Sequence, residues 1–404
     1  DALAALDGFR GEIDALPEGT LAFAGPARRL NGEPVTLAGV PLIAYTPLVQ
    51  VRCDITTAKL IETPWLSRLN HQSMIASKAA RIVSAAGIAP ETGAPRPVIE
   101  FGQRRTHPDA ALDAAYAAYL AGCAATSNLA ATHVFGVPSV GTMDHFAIQA
   151  AERPGVPVTE TEAGFFADFC GLFPAAATLL VDTYDTLRGV AAAVQSTKGR
   201  LQAVRLDSQV TPALVREVRA VLDGLGAPHA RIFVSDGLDE WRVRELAQAG
   251  AQAFGVGENI TCSPDAATGI GAVGKLVRNG YGKPTMKLSR GSGKATLPET
   301  LQVHRYDDHD VLTLWDEPAP PGGRPLLQPL WRGGDLVHPL PSLEDSRAHL
   351  RAQLAALPPY LAAIETDHGR PWPIHISDGL AAVIDRLAAD ALDAAAPPAE
   401  DRAP

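Results

Sequence analysis

The pattern of apolar and polar positions changes character along the chain. Residues 1–57 carry short apolar or alternating runs, TLAFAG, PVTLAG and PLIAYTPLVQVRC, broken by glycine and proline, a strand signature. From about Ala58 the period lengthens, and Leu60 to Ala86 places apolar residues at helical spacing. A second helix is predicted from about Pro108 to Gly122, opening at a proline and closing at a glycine. Residues 130–260 then alternate. VPSVGTM, ATLLVDTY, LQAVRLDS, RIFVSD and QAFGVG read as buried strands, with helical stretches such as PALVREVRAVLDGLG and LDEWRVRELAQAG between them. Such alternation implies parallel strands joined by crossover helices, hence an α/β barrel or a doubly wound sheet. Fewer than eight clear βα units are present, so a complete barrel of eight is not indicated. Beyond about Lys275 come a Gly/Lys-rich stretch, short strands with many prolines over 301–345, and a charged helix over 345–366. The end, DALDAAAPPAEDRAP, reads as a frayed tail.

Composition narrows the partners. The 404 residues have 46% hydrophobic and 20% charged side chains, ordinary for a globular chain with room for two domains. A net charge of −10 argues against nucleic-acid or anionic-membrane partners, which need a dominant basic surface. No apolar run approaches the roughly 18 residues of a spanning helix. The first residues lack the basic start and continuous apolar core of a secretory signal. Cys53, Cys123, Cys170 and Cys262 are widely spaced without a CxxC pair, which predicts reduced thiols in the cytoplasm and no zinc site.

Candidate chemistry gathers at strand ends. Parallel α/β sheets bind ligands at the carboxyl ends of their strands. Polar residues follow the apolar runs there: Arg104 and Arg105 after EFG, Thr142 and His145 after PSVG, and Asp182 after LLV. Arg205, Asp207 and Ser208 fall within QAVRLDS, Ser235 and Asp236 follow RIFV, and Gly257 follows AFGV. Any one of these would pass as a turn residue. Recurrence at successive strand ends predicts an active site. The arginines suit carboxylates and phosphates, the FGVGEN glycines expose backbone N–H groups to a phosphate, and Asp207 can accept from sugar hydroxyls.

Taken together, EFGQRRTHP, AATSNLA, GVPSVGTMDH, LLVDTYDTL, VRLDS, IFVSDGLDE, AFGVGEN and the KLS…SGKAT…PE stretch resemble the nicotinate phosphoribosyltransferases. The likeness runs from about Leu16 to Ser377, in the family's order and spacing. It implies a type II phosphoribosyltransferase fold: an irregular, incomplete α/β barrel over 58–287, with a second α+β domain built from residues 1–57 and 288–390, and a disordered tail over 391–404. It also implies formation of nicotinate mononucleotide and pyrophosphate from nicotinate and phosphoribosyl pyrophosphate in NAD salvage. ATP would be hydrolysed alongside, Mg²⁺ would accompany pyrophosphate or ATP, no dedicated metal site is implied, and the assembly would be a homodimer.

By position, His145 matches the histidine that ATP transiently phosphorylates, Phe101 an aromatic stacking on the pyridine ring, and Arg104 its cationic neighbour. Thr142 and Arg205 match nicotinate contacts, and Asp207 a carboxylate near ribose and pyrophosphate. Ser235 lies beside them at the next strand end, while Gly257 and Glu258 fall in the loop for the ribose 5-phosphate. Ser127 occupies the position held by an aspartate in the nicotinamide-specific relatives. A neutral donor there suits an anionic substrate, and a helix N-cap role is compatible with it.

This chain departs from the pattern at Gln209-Val210, where the family has Gly-Asp, and at Glu258, where threonine is common. Asp144 precedes His145 where a small residue is usual. No Asp-x-Tyr segment precedes Leu16, which leads to the expectation that upstream residues are missing. Two other readings are a quinolinate phosphoribosyltransferase, disfavoured by the long C-terminal half, and a catalytically weakened homologue that binds nucleotide or phosphate.

Overall fold

Buried apolar runs become a parallel sheet. The computed structural model describes residues 8–37, 39–263, 271–287, 296–365 and 370–393. The chain divides into two units, one of Arg68–Gly271 and one of Asp1–Ser67 with Ala272–Pro404. The division falls inside a long helix, α1 (Ile55–Ala86), so the change of period at residue 58 marks that helix's first turns. Asp54 opens α1 by accepting the Thr57 N–H at 2.9 Å. Pro64 lies within it.

Among the described residues, the Arg68–Gly271 unit holds six strands: β1 (Val98–Glu100), β2 (Ala125–Thr126), β3 (Thr178–Leu180), β4 (Ala203–Leu206), β5 (Arg231–Val234) and β6 (Ala253–Val256). They form one parallel sheet in the order β2-β1-β6-β5-β4-β3, curled into an incomplete barrel. Leu179, Leu180, Val204, Leu206, Ile232, Val234 and Phe254 are fully buried. Strands covered on both faces read as continuous apolar runs rather than alternating ones, which is why the sequence reveals them.

The crossovers are α2 (Pro108–Leu120), α3 (Leu129–Phe135), α4 (His145–Ala150), α5 (Val158–Leu172), α6 (Thr186–Thr197), α7 (Pro212–Gly224) and α8 (Glu240–Gln248), with a last turn α9 (Glu258–Thr261). α7 shows the local logic. Thr211 caps it through the Leu214 N–H, Pro212 takes the first position, and Val215, Val218 and Leu222 form its buried stripe.

VPSVGTM is not a strand. It touches the sheet through a single parallel bridge, Ser139 to Thr126: Pro138 has no N–H to donate, Gly136 precedes the segment and Gly141 lies inside it. Helix α3 is capped by Asn128, not Ser127, through the N–H groups of Ala130 and Ala131. That leaves the Ser127 hydroxyl outside the cap.

Among its described residues, the other unit carries a four-stranded sheet, a six-stranded mixed sheet and a two-stranded ribbon. Both chain ends build it: Ala24–Arg29 runs parallel to Ile374–Ile376, and Glu12–Ala15 pairs antiparallel with Gln328–Arg332. The charged helix predicted over 345–366 is shorter, Leu343–Ala355, followed by a turn at Pro359–Ala362. A further helix, Asp378–Asp393, runs into the segment expected to fray. Residues 394–404, and most of the KLS…SGKAT stretch, lie outside the described residues.

Candidate active site

Because the six strands are parallel, the residues following them converge on one edge. The centre is an ion-pair and hydroxyl network across β3, β4 and β5. Arg205, 8% exposed at the end of β4, donates from Nη1 to Ser235 Oγ at 3.1 Å and from Nη2 to the Met143 carbonyl at 3.0 Å. Ser235 donates to Asp207 Oδ1 at 2.8 Å, and Arg205 Nη1 lies 3.6 Å from the same oxygen. Asp182, after β3, accepts the Asp207 N–H at 2.6 Å and so fixes where the Asp207 turn begins. Burial, above all, pushes the Asp182 carboxyl up, against the pull of those N–H groups and of His145.

His145 is the first residue of α4, behind the Asp144 cap. Its Nδ1 lies 3.1 Å from Thr183 Oγ1, while Nε2 faces Asp207 Oδ2 at 3.8 Å and Asp182 Oδ1 at 3.9 Å. The ring is thus held on one side by a hydroxyl and faces two carboxylates on the other. A half-exposed imidazole in that setting can accept or hand on a proton or a phosphoryl group.

Phe101 and Gly255 make a flat wall. A Cβ on Gly255 would sit 2.7 Å from the Phe101 ring, so the ring lies directly on bare backbone. Phe233 meets that ring edge-on, with centroids 5.8 Å apart and planes at 83°. Beneath it, buried Glu100 accepts from Thr126 Oγ1 at 2.6 Å, Thr261 Oγ1 at 3.2 Å and the Gly102 N–H. Its backbone carbonyl takes the Ser127 N–H at 2.9 Å. Glu100 therefore ties the ends of β1 and β2 to α9.

The predicted residues are not all in one network. Thr142 bonds Met143 O at 3.0 Å, the same carbonyl that Arg205 uses. Arg104 is exposed, on the turn Gln103–Arg105, close enough to Arg205 to act on its charge. Ser127 is half-buried at the end of β2. Gly257 opens α9 beside the Phe101 carbonyl. Glu258 is exposed, with Arg105 Nη1 3.6 Å away, so a cation faces its carboxylate. Among the described residues, no group of three His, Cys, Asp or Glu could hold a metal ion, and there is no disulfide. Among the described residues, no helix is long and apolar enough to cross a membrane.

Sequence reasoning gave no role to Asp182 beyond its place at a strand end, and it passed over Thr183, Glu100 and the Met143 carbonyl. The DTYDT run after a buried strand was the available signal for the first two. A backbone carbonyl gives none.

Two expected outcomes follow from this geometry. Arg205→Ala leaves Asp207 without its buried cation, and both anionic substrates of the reading proposed below should be used at least about tenfold less well, with the protein still folded. Unchanged kinetics, or simple aggregation, would contradict the assignment. Gln209 has φ +50°, in the left-handed region, held there by Val210 N–H to Asp236 Oδ2 at 2.9 Å on its far side. Gln209→Gly should therefore stabilise the fold by about 1 kcal/mol, read as a higher urea midpoint. A lower midpoint would show that the side chain contributes more than its backbone strain costs.

Comparison with known proteins agrees with this architecture. Residues 97–314 match the model of the nicotinate phosphoribosyltransferase (NAPRTase) family. A nicotinate phosphoribosyltransferase of Mycobacterium tuberculosis is 37% identical over 94% of this chain and 76% of its own length, and one from Bos taurus is 30% identical over 96% and 82%. The human nicotinic acid phosphoribosyltransferase structure superimposes with a TM-score of 0.70 at 27% identity, covering 95% of this chain and 84% of that one. A nicotinate-nucleotide pyrophosphorylase from Pyrococcus furiosus gives 0.68, also at 27%, covering 88% and 83%. The chain belongs to the nicotinate phosphoribosyltransferase family.

Proposed function

We propose that this protein transfers the phosphoribosyl group of phosphoribosyl pyrophosphate to the ring nitrogen of nicotinate, giving nicotinate mononucleotide and pyrophosphate for NAD salvage. The observation that carries the reading is the Arg205–Ser235–Asp207 network, with His145 within 3.8 Å of Asp207, at the ligand-binding edge of a chain from this family.

In this reading the pyridine ring lies on Phe101, with Thr142, Arg104 and Arg205 serving its carboxylate. Asp207 and Ser235 receive the ribose, and the Gly257–Glu258 turn receives the 5-phosphate. The C1–O bond to pyrophosphate breaks as the C1–N bond forms through an oxocarbenium-like state, so the protein chiefly positions the nitrogen and stabilises charge. His145 takes the γ-phosphoryl group of ATP: an N–P bond forms, the bond to ADP breaks, and water later releases phosphate, coupling ATP hydrolysis to transfer. Mg²⁺ would enter on pyrophosphate or ATP oxygens. The assembly is a homodimer in the cytoplasm.

The test is pyrophosphate release. It should require nicotinate and phosphoribosyl pyrophosphate together, and ATP should stimulate it. Binding of either without release would support the alternative, a homologue that senses nucleotide or phosphate, for which the Gln209-Val210 and Glu258 departures speak.

A further inference from the structure

Behind the strand-end network lies a carboxyl that the proposed reaction does not use. Glu162, on α5, is 2% exposed, and its Oε1 has no hydrogen-bond partner. Asp182 Oδ1, 3.9 Å from His145 Nε2, is likewise buried and without a hydrogen-bond partner. Two orphaned carboxylate oxygens in one buried cluster are costly unless a proton relieves one of them.

We infer that Glu162 is a positioning residue for His145, acting through Asp182 and the Asp182–Asp185 loop. This rests on the reading of His145 as the acting imidazole. The loop supplies two of the three groups that face the ring, Thr183 Oγ1 and Asp182 Oδ1, the third being Asp207 Oδ2. The titratable groups around Glu162 are Asp182 and Asp185, then Tyr184, whose hydroxyl donates to Glu152 Oε1 at 2.5 Å just beyond α4. All these neighbours are acids, so an uncharged Glu162 lets Asp182 remain the ionised partner of the imidazole. Burial first, then Asp182 and Asp185, raise the Glu162 carboxyl to about 7. At neutral pH its proton is therefore poised, and its loss adds a second negative charge behind Asp182.

The sign for stability follows. A carboxyl raised in the folded state contributes stability that is fully present below its unfolded value near 4.5 and lost as pH rises through about 7. Glu162→Gln, which keeps the shape and removes the titration, should thus raise Tm relative to wild type more at pH 8 than at pH 5.

The deciding experiment follows the His145 ring by ¹⁵N NMR across pH 5–9 in the ligand-free protein, with the pH profile of kcat/KM for nicotinate beside it. The pH dependence of the ring resonances and of kcat/KM should differ between wild type and Glu162→Gln, with Glu162→Asp closer to wild type than Glu162→Gln is. Superimposable ring titrations in wild type and Glu162→Gln would overturn the inference, as would a kcat/KM lowered evenly at every pH. If wild type makes no nucleotide at all, the functional reading fails, and the ring titration still decides the role of Glu162.

Discussion

His145→Ala is expected to abolish ATP-stimulated turnover while a slower, ATP-independent transfer survives. The imidazole is placed to take a phosphoryl group, because Nδ1 is engaged by Thr183 and Nε2 is left facing Asp207 and Asp182. Alanine removes the nucleophile but leaves the Arg205–Ser235–Asp207 network, whose contacts are made among themselves and with Met143 O. Binding and orientation of nicotinate and phosphoribosyl pyrophosphate should therefore persist, since nucleophilic and positioning contributions are separable. Initial rates with and without ATP check this. Full ATP stimulation in the variant would remove His145 from the role.

Ser127→Asp should reverse the substrate preference. Ser127 follows β2, its N–H tied to the Glu100 carbonyl, and the helix cap behind it is Asn128, so its hydroxyl is not committed to α3. A carboxylate at that position repels the nicotinate carboxylate and accepts from the amide of nicotinamide. Discrimination by a correctly paired polar group reaches roughly 10²-fold or more, because the wrong ligand leaves a buried group unsatisfied. The ratio of kcat/KM for nicotinate to that for nicotinamide should fall accordingly. A change below about tenfold, which is ~1.4 kcal/mol, would mean that Ser127 does not face the ring substituent.

Different parts of the molecule were legible to different degrees, for physical reasons. Strands β3 to β6 stood out because burial on both faces makes them unbroken apolar runs. Their polar termini stood out for the same reason, as sharp changes at a predictable edge. VPSVGTM carries the same composition, but Pro138, the internal Gly141 and the preceding Gly136 leave only one bridge to the sheet. The Asp378–Asp393 helix was overlooked although Leu380, Ala381, Ile384 and Leu387 form a buried stripe, because its alanine- and aspartate-rich end runs without a break into the AAAPPAEDRAP tail. Within the site, Arg205, Asp207, Ser235 and His145 were readable as strand-end polar residues, and the structure joins them. Glu100 and Glu162 were not: Glu100 is a single acid inside an apolar run and Glu162 one of two acids in TETEA, and neither pattern tells that the partners come from other elements. Gln209 was visible only as a departure; that its backbone is left-handed is information that a side-chain pattern does not carry.

The central claim is tested most directly by offering the protein nicotinate, nicotinamide and quinolinate together with phosphoribosyl pyrophosphate, ATP and Mg²⁺, and identifying the nucleotides by mass spectrometry. The account predicts nicotinate mononucleotide formed from nicotinate, its carboxyl carbon retained, with one pyrophosphate per nucleotide. A product from nicotinamide, a product from quinolinate with loss of carbon dioxide, or no nucleotide at all would contradict it.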